Sequence, residues 1–216
     1  MRKLPVYLLV DTSGSMHGEP IESVRNGLSI LLSSLRQDPY ALETAFLSVI
    51  EFNTHATQVV PLVDLMGFQE PDLNPSGTTS LGAALSLLAE RVGSEVKSSS
   101  ENIAGDWRPL VFIFSDGGAT DNLQNGIDAL KKVKTGIVVA CAAGQGARID
   151  ELEKITKSVV TLDNADSSSI SAFFQWVSAS ISVNSKAVDS GQDNEISISD
   201  LPPPPPEINV VDLTKN

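Results

Sequence analysis

Leu4-Pro5-Val6-Tyr7-Leu8-Leu9-Val10, followed at once by Asp11-Thr12-Ser13-Gly14-Ser15-Met16, is the stretch on which the fold turns. A short, nearly continuous apolar run suits a strand covered on both faces. The aspartate stops that run abruptly. Behind it come two hydroxyl side chains at alternate positions, separated by small residues. Oxygen donors spaced this way on a tight turn can converge on one hard cation, since magnesium, manganese and calcium all take oxygen ligands. One carboxylate and two neutral hydroxyls anchor such an ion but leave much of its charge uncancelled.

Outward from this stretch, apolar strands alternate with helical periodicity. Gly18-Glu19-Pro20 leads into Ile21, Val24, Leu28, Leu31 and Leu35, a helix ended by Asp38-Pro39. Ala45–Phe52 reads as a second strand, and Asn53-Thr54-His55 turns the chain into a third, Thr57–Val63. Pro61 cannot donate to a ladder, so the third strand belongs on an edge, and the short connection makes it antiparallel. An irregular loop, Leu65–Ser76, precedes Gly77-Thr78-Thr79-Ser80 and a helix carrying Leu81, Leu85, Leu88 and Val92. Ser98–Trp107 is a polar loop. Leu110–Phe114 is another buried strand ending in an acid, Ser115-Asp116-Gly117-Gly118. A helix with Leu123, Ile127 and Leu130 follows, interrupted by the poor helix former Gly126. Strand Gly136–Ala143, helix Ile149–Thr156, strand Val159–Leu162 and a helix over 168–182 complete the pattern. This order predicts an α/β fold: a doubly wound, mainly parallel, Rossmann-like sheet with one antiparallel edge strand and helices on both faces. The domain is expected to span 1–183. Residues 184–216, with the run Pro202 to Pro206, read as a disordered acidic, proline-rich tail. Ile208–Leu213 within it is apolar enough to dock.

Doubly wound sheets bind ligands beyond the carboxyl ends of their strands, where strand order reverses. Asp11 and Asp116 both end strands at that face. Brought together without a cation they would repel, and one would tend to stay protonated. Thr79, opening a helix after a glycine, can bring a further hydroxyl to the same rim. The candidate metal ligands are therefore Asp11, Ser13, Ser15, Thr79 and Asp116, with water completing the shell. Thr78 and Ser80 suit cap or loop roles, and Asp121 an N-terminal acid on a helix.

Three separated motifs, Asp11-x-Ser13-x-Ser15, Gly77-Thr78-Thr79-x-x-x-x-Ala84-Leu85 and Ser115-Asp116-Gly117, resemble the metal-ion-dependent adhesion site of von Willebrand factor A domains. The resemblance covers roughly residues 4 to 183, and its register selects Thr79 over Thr78. Ala119 departs from it, because many relatives carry proline there; Thr120 and Asp121 keep the pattern. More narrowly, the chain resembles the A-domain proteins of bacterial tellurite-resistance clusters. The resemblance implies a module without catalysis that uses magnesium, or manganese or calcium, to bind a carboxylate of a partner protein. Such partners include other proteins of a tellurite-resistance or stress-response system.

Other chemistries fit less well. A magnesium-dependent hydrolase of the phosphatase type would also end its first strand in aspartate, but it needs an acid where Ser13 stands. Glu22 is the twelfth residue from Asp11, as a calcium loop requires, yet Met16 occupies the glycine position and a strand precedes. Gly144-Gln145-Gly146 is half a dinucleotide fingerprint, with Ile149 replacing its third glycine. Gly77–Ser80 lacks the phosphate-loop lysine. His17 reads as a rim residue, His55 as an exposed turn, and Trp107 and Trp176 as packing anchors. The proline run reads as a spacer more than as a ligand for an SH3-like or WW-like groove.

Charge and composition bound the partners. The 27 acidic residues outnumber 15 basic ones, for a net charge of −12. That balance disfavours nucleic acid and anionic lipid. No run approaches the ~18 apolar residues of a membrane span. Asp11 interrupts the N-terminal apolar run too soon for a signal peptide. The single Cys141 forms no internal disulfide and reads as a small core residue. The sequence-based expectation is a cytoplasmic protein, monomeric alone.

Overall fold

The computed structural model describes residues 2–99, 104–144, 146–189 and 198–211. Its elements run β1 (Leu4–Asp11), α1 (Glu19–Gln37), α2 (Pro39–Thr44), β2 (Ala45–Phe52), β3 (Ala56–Asp64), α3 (Leu81–Glu95), β4 (Leu110–Ser115), α4 (Leu123–Leu130), β5 (Val138–Ala143), α5 (Ile149–Ile155), β6 (Ser158–Leu162), α6 (Ser167–Asp189) and β7 (Ile208–Val210). The strands form one sheet in the order β3-β2-β1-β4-β5-β6-β7. β1 lies parallel between β2 and β4, with Val10 opposite both Glu51 and Phe114. The chain leaves β1 towards β2 on one side and returns to β4 on the other, so strand order reverses where Asp11 and Asp116 stand.

Period-two alternation along β1 divides the core between the two faces. Leu4, Val6, Leu8 and Val10 pack with α1 and α6, including Leu28, Leu31, Phe173 and Phe174. Tyr7 and Leu9 pack on the other face with Leu81, Leu85 and Leu88 of α3 and Ile127 of α4. Two glycines permit close helix contacts. A Cβ on Gly27 of α1 would lie 2.3 Å from the Phe174 ring of α6, and one on Gly126 would lie 2.4 Å from the Gly82 carbonyl of α3. Gly126 thus weakens α4 as a helix but lets it cross α3.

The mainly parallel α/β sheet and the antiparallel edge strand carrying Pro61 are as expected from the sequence. Two elements are not. Asp38 ends α1 but also accepts hydrogen bonds from the Tyr40 and Ala41 amides, starting the short helix α2 with Pro39 in its first turn. The expectation of a disordered tail is corrected for 184–189 and 198–211. Helix α6 continues to Asp189, and Asn184 and Ser185 are buried on it. Further on, Leu201 is buried, the Trp176 indole donates to the Pro202 carbonyl at 2.7 Å, and β7 pairs antiparallel with β6, Ile208 opposite Leu162. Ile208–Val210 therefore docks on its own domain as a seventh strand. Residues 190–197 and 212–216 of the expected tail lie outside the described residues. So do 100–103 of the polar loop and Gln145 of the half fingerprint. Among the described residues, no helix is long and apolar enough to cross a membrane.

Candidate metal centre

Four loops meet at the carboxyl ends of β1 and β4, tied largely through main-chain atoms. The Thr12 amide donates to Phe52 O at 2.8 Å, Gly14 N to Gly77 O at 3.1 Å, Ser76 N to Thr12 O at 2.9 Å, and Ser80 N to Asn53 O at 2.8 Å. Gly77 sits at φ 68°, and a Cβ there would fall 2.0 Å from Thr54 Oγ1, so glycine is required by both conformation and space. The Thr79 amide donates to Thr120 Oγ1 at 3.1 Å while the Thr120 amide donates to Thr79 O at 2.8 Å. This reciprocal pair locks the second motif to the third.

Hydrogen bonds join the candidate ligands themselves. Asp11 is fully buried at the end of β1. Its Oδ1 accepts the Ser13 amide at 2.8 Å and its Oδ2 the Ser115 hydroxyl at 2.6 Å. Ser13 Oγ lies 3.0 Å from Ser15 Oγ, and Ser15 Oγ donates to Asp116 Oδ1 at 2.8 Å. Thr79 is buried with its Oγ1 close to Gly117, 3.7 Å from where a Cβ would stand. All five candidates therefore surround one rim. Ser15 is exposed and Asp116 half-buried, which leaves the centre open to solvent on that side.

The electrostatics match a cation site. Burial pushes the Asp11 carboxyl above its usual range, against hydrogen bonds from Ser115 and Ser13, and the charge on Asp116 raises it further. Burial likewise raises Asp116, opposed by the Ser15 hydroxyl. Among the described residues neither carboxylate forms a salt bridge. Each bonded carboxylate oxygen retains lone-pair capacity. Two desolvated acids without a cation, beside three hydroxyls, fit a hard divalent ion. Among the described residues no three His, Cys, Asp or Glu side chains converge on an ion site, so an ion here would rely on hydroxyls and water.

Surrounding residues take structural roles that sequence reasoning only partly reached. Ser115 supports Asp11 from the neighbouring strand; the signal was the serine of Ser-Asp-Gly. Asp121 accepts the Gly82 and Ala83 amides at 2.9 and 2.7 Å, capping α3 and not its own following helix, which Asn122 caps. Thr78 and Ser80 bond Thr54, at its Oγ1 and carbonyl. Ala119, where proline would remove a donor, gives its amide to Glu151 Oε2 of α5 at 2.7 Å, which steadies the loop by another route. His17 and His55 are exposed, while Cys141 is fully buried with its thiol pushed well up by burial.

Fold and rim together define a class, and the sequence places the chain within it. The model of the von Willebrand factor type A domain matches residues 6–176, and the chain belongs to that family. Solved structures with the same fold include proximal thread matrix protein 1 of the mussel byssus, at 20% identity and a TM-score of 0.64, covering 82% of this chain and 48% of that one. A von Willebrand factor type A protein of Catenulispora acidiphila aligns at 16% identity and a TM-score of 0.65, covering 84% of this chain and 43% of its own. A further structure of the mussel protein, at 20% identity and a TM-score of 0.63, covers 82% and 48% of the two chains and has a zinc-occupied metal-ion-dependent adhesion motif. The chain thus spans about half the length of these structures. No curated protein matches it in sequence.

Proposed function

We propose that this domain is a divalent-metal-dependent protein-binding module whose metal is held by Asp11, Ser13, Ser15, Thr79 and Asp116. The observation that carries the reading is the pair of desolvated carboxylates, without a salt bridge among the described residues, linked through Ser13 and Ser15 at a solvent-open rim. Asp11 and Asp116 supply charge from two adjacent strands. Ser13, Ser15 and Thr79 supply neutral oxygens, so the ligand set does not cancel further charge. When bound there, magnesium, manganese or calcium provides a Lewis-acidic position that accepts a carboxylate from a partner protein. Ser115 and the Ser13 amide hold Asp11 in place, and the Thr79–Thr120 pair holds the loop before α3 against the loop after β4. The zinc-occupied motif of the mussel relative supports metal at this position of the fold.

The reading assigns no catalysis. Ser13 stands where a phosphatase of this strand order needs its general acid, and a hydroxyl does not serve that role at neutral pH. Resemblance to the A-domain proteins of tellurite-resistance clusters supports a bacterial stress-response setting, a cytoplasmic location, a protein partner from that system and a monomer in isolation. Affinity purification with magnesium, repeated with chelator and with Asp11→Ala, tests the binding mode. Capture that survives both treatments removes the metal from it. Phosphatase turnover that disappears with Asp11→Ala would replace the adaptor with an enzyme.

A further inference from the structure

The end of the sheet opposite the metal rim carries a cavity of about 550 Å³ between the C-terminal end of α3, the loop before β4 and the loop before β5. That volume lies within the range of small-molecule sites, roughly 300–1,000 Å³. Four exposed cations line it: Lys97, Arg108, Lys132 and Lys134. They come from three separate segments, in a chain whose net charge is −12. Among the described lining residues the acid is Asp106, anchored to the main chain: Oδ1 accepts the Lys3 amide at 3.1 Å and Oδ2 the Lys97 amide at 3.0 Å. Glu95, at the end of α3, is tied to the Tyr7 hydroxyl at 2.9 Å and to Gln58. Buried Val92 and half-buried Val133 also line the cavity and give it an apolar part.

We infer that this cavity binds a phosphorylated small molecule of nucleotide size, with its phosphates on Lys97, Arg108, Lys132 and Lys134 and an apolar ring against Val92 and Val133. Cations brought to one cavity from separate segments attract multiply charged phosphate. A mixed lining of this kind selects a ligand with one anionic and one flat apolar end. Neither the metal nor any residue of the Asp11 rim takes part.

The competing account is that lysines after α4 complement the negative end of its dipole. Calorimetric titration of the full chain with ATP in chelator, so that no divalent ion bridges phosphate to Asp11, separates the two. Saturable single-site binding is expected, weakened roughly tenfold or more by K132E/K134E and unchanged by D11A. K132Q/K134Q serves if the charge reversal does not fold. Tripolyphosphate is expected to bind more weakly than ATP; equal affinity would overturn the apolar half of the assignment. Absence of saturable binding, affinity indifferent to K132E/K134E and R108Q, or loss of binding with D11A would each overturn the site. A fall in thermal stability with no change in ATP affinity would assign the lysines to the helix end instead.

Discussion

The rim around Asp11 is built largely from loops that directly follow β1 and β4, whereas the C-terminal clasp on β6 returns to the sheet from beyond α6, and opposite forces hold the two. At the rim, polar atoms close around a fully buried acid whose charge has no cationic partner among the described residues. At the clasp, Leu201 and Ile208 supply apolar anchors, backed by one indole bond and a three-residue ladder. Burial of a side chain like these stabilises by about 1.5–3 kcal/mol, whereas burial of an unpaired charge costs stability. The rim holds an unfavourable charge arrangement for use, and the clasp contributes stability without chemistry. Changes at the two places should therefore separate binding from folding.

The largest effect is expected from Asp11→Ala. Metal-dependent partner capture should fall to the chelator background, and the thermal upshift on adding magnesium should vanish. Retained capture would erase the distinction drawn here. Ending the chain after Asp189 should do the reverse, with faster amide exchange in β6 and α6 and capture preserved. The milder Leu201→Ala should cost about 2 kcal/mol, or roughly 4–8 °C in melting temperature. A clasp mutant that loses capture would show the two regions to be coupled. Trp176→Phe replaces the indole with a smaller ring that cannot donate the 2.7 Å bond to Pro202, for a loss of about 1 kcal/mol or somewhat more by chemical denaturation.

The finest test is pH. Because burial raises the Asp11 carboxyl in the folded state, the native protein binds a proton more tightly there than the unfolded chain does. In chelator, stability should fall as pH rises from the ordinary aspartate value, about 3.9, through the raised folded value, then level off. Asp11→Asn removes the charge while leaving a side chain that can still bond Ser13 and Ser115. It should flatten this slope and melt higher than the wild type at neutral pH without metal. A slope left unchanged by Asp11→Asn would contradict the desolvated rim.

Much of the fold was legible because its signals are local. The apolar runs ending in Asp11 and Asp116 name buried strands, and Pro61 names an edge. The tail was misread for a physical reason. Beyond residue 183, α6 turns its buried side with Asn184 and Ser185 in place of large apolar residues. The Asn184 side-chain amide donates to Ser180 O at 2.8 Å, while Ser180 Oγ donates to Trp176 O at 2.8 Å. Small polar residues on that buried side, Asn184 and Ser180 bonded within their own helix, leave no hydrophobic period to read. Ile208–Val210 is too short to announce a strand and acquires one only from the free edge of β6. Asp121 shows the same limit, since its chemistry as a cap was readable but the helix it caps lies in another part of the chain.

By itself the sequence determined the alternation of strands and helices, the acids that end β1 and β4, and the hydroxyl-rich composition of the rim, all consequences of residue type and short-range spacing. Tertiary structure alone decided that Ser115 supports Asp11, that Glu151 takes the amide freed by Ala119, and that the clasp closes on Trp176. It also gathered the distant cations at the opposite pole. These depend on which atoms the close packing of the sheet and helices brings within hydrogen-bonding reach, and no local period encodes that.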